Sequence, residues 1–294
     1  MNGLDMTPWR KATLAVVRCG DASLHRSWSG PDRAFDVGVS YFGNNPAKAF
    51  PEARFVHRYK GGKWDGLFDF FLKFPDALDA YDYFWFPDDD IAATANDINR
   101  LVEIGTAYGL EVFQPALDDE SYYSHVITLR HPSFNLRYTN FVEIMAPVIS
   151  RAVLTRTLPM LDANRSGFGI DFVWPEMAAD ISGEPIKSTA IVDSVTVRHT
   201  RPVGGSLHKF MNEAGGVSAV EEMAKALSIV KGPRNSSIKG VPTPRITIRS
   251  GMDRAGNYLQ GYALVSRVLL DLLLRHTNRA QPVKFRRVIK LAFA

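Results

Sequence analysis

Asp88, Asp89 and Asp90 stand side by side, directly after the apolar run Tyr81–Phe86 and Pro87. Adjacent carboxylates repel one another, and a divalent cation relieves that repulsion. Mg²⁺ and Mn²⁺ prefer oxygen ligands and combine one or two carboxylates with substrate phosphates. An acidic cluster at the carboxyl end of a strand is also where an open α/β sheet binds its ligands. The competing reading is an acidic helix start, with an aspartate capping the helix that follows Ile91. An EF-hand is excluded: counted from Asp88, the sixth loop position is Ala93 and the twelfth is Asn99, where Gly and Glu are required.

Three further groups could join that chemistry. Asp171 follows the Gly-rich aromatic turn Ser166-Gly167-Phe168-Gly169-Ile170, where glycines let backbone approach a ligand closely. It is either a general base (or the holder of an acceptor hydroxyl) or the N-cap of a helix over 172–179. Glu143 is a lone acid within the apolar run 140–147, and a buried acid must be paired or functional. His199 ends the apolar strand Ile191–Arg198. Its neutral imidazole could complete a Mn²⁺ site, and the flanking Arg198 and Arg201 could contact phosphate bidentately. The alternative for His199 is a surface histidine on a basic loop. Lys60 and Lys63 flank Gly61-Gly62 and could add positive charge to the same site.

Other searches exclude whole classes. The chain has no P-loop, no G-x-G-x-x-G, no H-E-x-x-H and no G-x-S-x-G. A haloacid-dehalogenase-type phosphatase fits poorly, because Ala92 stands at the fifth position from Asp88 and the strand is not the first of the fold. The single Cys19 excludes an intramolecular disulfide and a Cys-rich zinc site, and reads as a buried strand-end thiol.

The elements that must position these residues alternate. Strands are predicted at Ala12–Arg18, Phe35–Phe42, Arg54–His57, Tyr81–Phe86 and Glu111–Gln114, with helices at Trp64–Phe74 and Ala95–Tyr108. That alternation predicts an α/β layer with a largely parallel sheet. Later, Val126–Leu129, Thr139–Ala146 and Ile191–Arg198 read as strands, and Arg151–Leu161 and Gly256–His276 as helices. Residues 204–256, rich in Gly, Pro, Ser and Lys, read as including a mobile loop.

Of the 294 residues, 46% are hydrophobic and 22% charged, the balance of a globular protein with a sizeable core. The net charge of +4 is unevenly spread. Residues 231–294 carry 13 Lys/Arg against Asp253 and Asp271 alone, a local net of +11, so the preceding 230 residues net −7. A basic tail of this kind could contact an anionic membrane surface, or it packs on the body as a solvated face. No nucleic-acid signature accompanies it, so nucleic acid is not an expected partner. No secretory signal or membrane span is visible, and a cytoplasmic location, peripheral at the inner face of the membrane, is expected.

In order, these pieces resemble a GT-A glycosyltransferase. More narrowly, the chain is similar to a plant and bacterial family of unknown function with glycosyltransferase-like motifs. The matching segments are GDASLHRSW (20–28), FDVGVSYFG (35–43), KGGKWDGL (60–67), YDYFWFPDDDI (81–91), FQPAL (113–117), SYYSHVIT (121–128), YTNFVEIMAPVIS (138–150), GFGIDFVW (167–174) and IVDSVTVRHTRPVGG (191–205). The resemblance covers about residues 12–205. It implies a Rossmann-type, open, mostly parallel sheet with flanking helices; the basic helical C-terminal extension expected from the sequence lies outside it. Residues 1–205 would form the catalytic domain, with a donor half over about 12–115 and an acceptor half over about 116–205; 206–294 would be the extension, with a loop and an amphipathic helix. It further implies Mn²⁺ or Mg²⁺ held by Asp90, Asp88 and His199. Asp171 would be the catalytic base and Glu143 would orient donor or acceptor. The nucleotide-diphosphate sugar would meet Asp89, Lys60, Lys63, Arg198, Arg201 and Trp174.

The expected activity is therefore sugar transfer from a nucleotide-diphosphate sugar to a sugar or lipid-linked acceptor, in the synthesis of envelope or surface polysaccharide. Two other classes stay open on sequence: a non-catalytic nucleotide- or carbohydrate-binding protein, and a Mg²⁺-dependent phosphohydrolase.

Overall fold

The structure, a computed structural model, describes residues 12–204 and 218–274. Four strands form a parallel unit in the order β3-β2-β1-β4: β1 (Thr13–Cys19), β2 (Asp36–Tyr41), β3 (Phe55–Arg58) and β4 (Tyr83–Trp85). β1 and β2 are buried along their whole length, which explains their near-continuous apolar runs. Beyond β4 the sheet continues through β8 (Val148–Ser150), β6 (Val112–Leu117), β9 (Thr189–His199), β7 (Phe134–Thr139), β12 (Ile248–Asp253) and β13 (Tyr258–Leu259). Along this path β7, β8 and β13 run against the other seven strands, so the fold is mixed α/β with a mostly parallel central sheet.

Helices cover the sheet: α1 (Lys63–Lys73), α2 (Pro75–Ala80), α3 (Ala95–Ala107), α4 (Arg151–Leu161), α5 (Ile170–Ser182), α6 (Ala219–Leu227) and α7 (Gly261–Leu274). A single apolar cluster runs through the described residues and contains Trp28, Trp64, Trp85 and Trp174, each at most 1% exposed. One buried ion pair crosses it. Arg137 donates to both carboxylate oxygens of Asp193, at 2.8 and 2.9 Å, and to the carbonyls of Ile127 and Leu129.

Several expectations are corrected. The run Thr139–Ala146 is not a strand: β7 stops at Thr139, and a buried loop follows. Side chains, not a ladder, satisfy part of its backbone: the Glu143 N–H donates to Gln114 Oε1 (2.6 Å). Asn140 in turn holds the backbone of Arg245 and Thr247. Val126–Thr128 is a 3-10 turn. The helix expected from Gly256 starts at Gly261, because Asp253 accepts the N–H groups of Ala255 and Asn257 and turns β12 into β13; its expected end at His276 lies outside the described residues. Of residues 204–256, read as including a mobile loop, 218–256 contain α6, β10 (Ser236–Ile238), β11 (Val241–Thr243) and β12; 205–217 lie outside the described residues. The chain after residue 205 thus supplies two strands of the central sheet, β12 and β13, as well as helices.

Candidate metal and catalytic site

The triplet Asp88–Asp90 follows β4 at its carboxyl end and precedes a two-residue strand, β5 (Ile91–Ala92). The helix-cap reading fails here. α3 begins four residues later, where Thr94 caps it and pairs with Asp97 in a reciprocal capping box. β5 pairs antiparallel with the end of β9, Ile91 opposite His199 and Ala92 opposite Arg198. That short ladder joins residues more than 100 positions apart in the chain. Ligand atoms of Asp88, Asp90 and His199 consequently lie within 4.8 Å of one another.

Each aspartate has its own environment. Asp90 is 5% exposed, and its Oδ2 lies 3.3 Å from His199 Nε2 and accepts the Arg201 N–H at 3.1 Å. Burial pushes the Asp90 carboxyl up, but His199 and Arg201 outweigh it and hold it below the usual carboxylate range. Asp88 accepts from Lys63 Nζ at 2.6 Å; the same ammonium donates to the Ile144 carbonyl at 2.7 Å. Asp89 turns away, accepting from the Gly20 N–H (2.9 Å) and Arg201 Nη2 (3.0 Å).

The histidine is oriented for ligation. Its Nδ1 is 3.1 Å from the Tyr122 carbonyl, which can only accept, so Nδ1 carries the proton. In the neutral ring Nε2 is then a lone pair facing the Asp90 carboxylate. Two acceptors at that distance require a proton or a cation between them. Burial lowers the His199 pKa, but Asp90 and Asp88 raise it more, and the net direction is up. Two carboxylates and an imidazole fixed by a backbone carbonyl form a donor set that suits Mn²⁺ or Mg²⁺.

Glu143 and Asp171 lie beside this cluster. Both are buried, at 4% and 8% exposure, and Glu143 Oε2 and Asp171 Oδ1 have no hydrogen-bond partner. Burial pushes Glu143 up to about 7, against a hydrogen bond with Ser124 and the charges of His199 and Lys63, which lower it; the Asp88 charge adds to the rise. Burial pushes Asp171 up to about 8, and the charge of Glu143 raises it further. Asp171 sits in the first turn of α5 but does not cap it; the N-cap is Gly169, at φ +89°. Two buried, raised carboxyls, one of them acting electrostatically on Asp88 and His199, make this a candidate functional site.

The other expected donor contacts divide. Lys63 and Arg201 belong to the cluster. Lys60 holds the carbonyls of Phe42 and Gly43 and the side chain of Asn44. Arg198, one residue before His199 on β9, pairs with Asp118 at 2.8 Å and with Glu120. Trp174 is fully buried, edge-on to Trp64 at 5.1 Å between ring centroids. Cys19 is buried and its thiol is pushed up to about 12, first by burial and then by Asp89, which leaves it unreactive.

Sequence reading missed three supports: Tyr122 and Ser121, which accept from the His199 Nδ1–H and backbone N–H, and Gln114, which holds the Glu143 backbone. Gln114 had a signal, a polar residue inside an apolar strand; the other two had none in the local pattern. On a neighbouring face of α5 lies a cleft of about 470 Å³ lined by Asn140, Phe172, Pro175, Lys231, Arg245 and Arg249. Among the described residues no helix is long and apolar enough to cross a membrane.

No curated protein matches the chain. Among solved structures, the fold is similar to a fragment of S. aureus TarS, residues 1–349, in complex with UDP-GlcNAc: 10% identity, TM-score 0.47, covering 73% of this chain and 64% of that one. The same fragment in complex with UDP aligns with 10% identity and TM-score 0.45, covering 75% and 66%. A longer S. aureus TarS structure aligns with 8% identity and TM-score 0.45 over 74% and 44%. The chain therefore spans less than two thirds of the first of these structures. Residues 52–226, which hold Lys63, Asp88, Asp90, Glu143, Asp171 and His199, match the family model described as "Protein of unknown function (DUF707)", and the chain belongs to that family.

Proposed function

We propose that this protein is a metal-dependent glycosyltransferase that uses a nucleotide-diphosphate sugar. The observation that carries the reading is the meeting of Asp88, Asp90 and His199 at the carboxyl ends of the strands, with the buried acids Glu143 and Asp171 alongside, each keeping one carboxylate oxygen without a hydrogen-bond partner. Asp90, Asp88 and His199 would hold Mn²⁺ or Mg²⁺. Bound there, the ion supplies Lewis-acid stabilisation of the leaving diphosphate.

The protein's own groups do the rest. Lys63 offsets the charge of Asp88, and Arg201 ties Asp89 and Asp90 into one rigid acidic turn. Asp171 takes the proton of the acceptor hydroxyl as that oxygen bonds to the sugar carbon and the nucleotide diphosphate leaves. An acid raised toward the working pH is suited to that transfer. Glu143, whose charge acts on Asp171, orients the acceptor beside it. The basic sequence after residue 231 fits an acceptor presented at the anionic cytoplasmic face of a membrane, such as a lipid-linked sugar.

Thermal shift with UDP-, GDP-, CMP- and dTDP-sugars, each with and without Mn²⁺, tests the proposal. A ligand at a hundredfold excess over its Kd adds about 2.7 kcal/mol of stability. A Mn²⁺-dependent shift with one donor, absent in Asp90→Ala, is expected. In turnover, Asp90→Ala should lose at least about 10²-fold. No shift with any donor, or unchanged metal-dependent turnover in Asp90→Ala, refutes the reading.

A further inference from the structure

Asp171 reaches its place through the turn 164–169, and that turn is held from both sides. Within it, Asn164 Oδ1 accepts the Gly167 N–H at 2.7 Å, and Asn164 Nδ2 donates to the Phe168 carbonyl at 3.1 Å. Gly167 and Gly169 adopt φ of +77° and +89°, which side chains other than glycine disfavour. On one side lies the start of α1. A Cβ on Gly167 would sit 2.1 Å from Trp64 Nε1, and Asp65 lies 3.9 Å from Arg165 Nε. On the other side lies α6. A Cβ on Gly169 would meet Ala226 Cβ at 2.9 Å and the Met223 carbonyl at 3.0 Å.

Glu222 of α6 closes this arrangement. It is 4% exposed, and its two carboxylate oxygens each accept one backbone N–H of the turn: Oε1 from Arg165 at 3.2 Å and Oε2 from Ser166 at 2.8 Å. Hydrogen bonds from backbone N–H groups to an ionised carboxylate are about twice as strong as neutral ones, and two from adjacent residues fix the orientation of the peptide between them.

We propose that Glu222 is a positioning residue for the chemistry at Asp171: it holds the 164–169 turn against α6 so that the first turn of α5 presents Asp171 to the site. The inference rests on the glycosyltransferase reading for the identity of the reaction, but not for the brace itself. It makes the chain beyond residue 205 part of the catalytic architecture. Only one carboxylate geometry accepts both N–H groups; a glutamine there offers one acceptor oxygen and presents an N–H₂ donor to the second N–H.

The test compares the full-length wild type with Glu222→Gln and with Leu227→Ala, a control that loosens α6 at a fully buried apolar position and leaves both Glu222 hydrogen bonds to the turn in place. Three readouts are taken. Amide hydrogen exchange over residues 165–172 should accelerate about tenfold or more in Glu222→Gln. Titration with MnCl₂ should give the wild-type affinity, because Asp88, Asp90 and His199 lie on other elements. With the nucleotide sugar that the wild type turns over, kcat should fall about 10- to 100-fold while KM stays within about twofold. Leu227→Ala should lower the melting temperature and keep kcat near wild type. The proposal is overturned if Glu222→Gln exchanges or turns over like the wild type, or if Leu227→Ala reproduces its loss of kcat. A wild type that turns over no donor sinks the glycosyltransferase reading alone, and the exchange comparison then decides for or against the brace.

Discussion

Replacing Asp171 by Asn removes one titrating proton and little else, since the two side chains have the same shape. In the folded chain Asp171 is 8% exposed, its Oδ1 has no hydrogen-bond partner, and burial pushes its pKa from 3.8 up to about 8. Between those values the folded chain keeps a proton that the unfolded chain has released. A group whose pKa is raised by folding contributes stability at low pH and loses it as pH rises through the window. For one proton the loss is about 1.4 kcal/mol per pH unit. Asn carries no such proton, so the stability of Asp171→Asn relative to wild type should climb by about 3 kcal/mol from pH 5 to pH 7. Using the difference between the two proteins cancels the titrating groups that do not act on Asp171; Glu143, whose charge does, enters the difference through that coupling. The assay is urea unfolding followed by tryptophan fluorescence at pH 5, 6 and 7, with EDTA present to keep metal out of the balance. A difference that stays flat with pH would show that Asp171 titrates like an exposed aspartate, and the case for it as a tuned base would fall with it.

Three other outcomes are expected. His199→Ala should weaken Mn²⁺ binding by at least about tenfold in calorimetric titration, because the oriented Nε2 is lost; wild-type affinity would remove His199 from the site. Asp193→Ala leaves the fully buried Arg137 guanidinium without its bidentate partner, and should cost about 3–5 kcal/mol in chemical denaturation; a cost under about 1 kcal/mol would mean that water reaches the pair. Thr94→Ala removes the cap of α3 and should cost about 1 kcal/mol while sparing MnCl₂ binding; a loss of binding would tie α3 to the site in a way the contacts do not show.

The Asp88–Asp90 cluster after an apolar strand, the parallel β1–β4 unit, and helices α1, α3 and α4 all follow from period, capping and charge within short windows. The apolar segment 139–146 was misread because a buried loop and a buried strand share the same composition. Only the partner of each backbone N–H separates them, and here one partner is the side chain of Gln114, 29 residues away. A helix start at Gly256 is what the local pattern predicts, because the Asp253–Asn257 turn depends on hydrogen bonds that composition does not reveal.

The sequence by itself determined which residues carry charge and lone pairs, and that three of them follow a strand. Whether the aspartates cap a helix or face a histidine was decided by the two-residue ladder between β5 and β9, a contact between segments more than 100 residues apart. Which nitrogen of His199 is free was decided by a carbonyl at Tyr122, and the raised acids by how completely the core closes over Glu143 and Asp171. Glu222 shows the same division: its two backbone partners, 56 and 57 residues away, exist only once α6 has docked. Local pattern sets an element's type because neighbouring side chains sample the same few backbone states. The chemistry of a site depends on distances and burial, and those are properties of the closed chain.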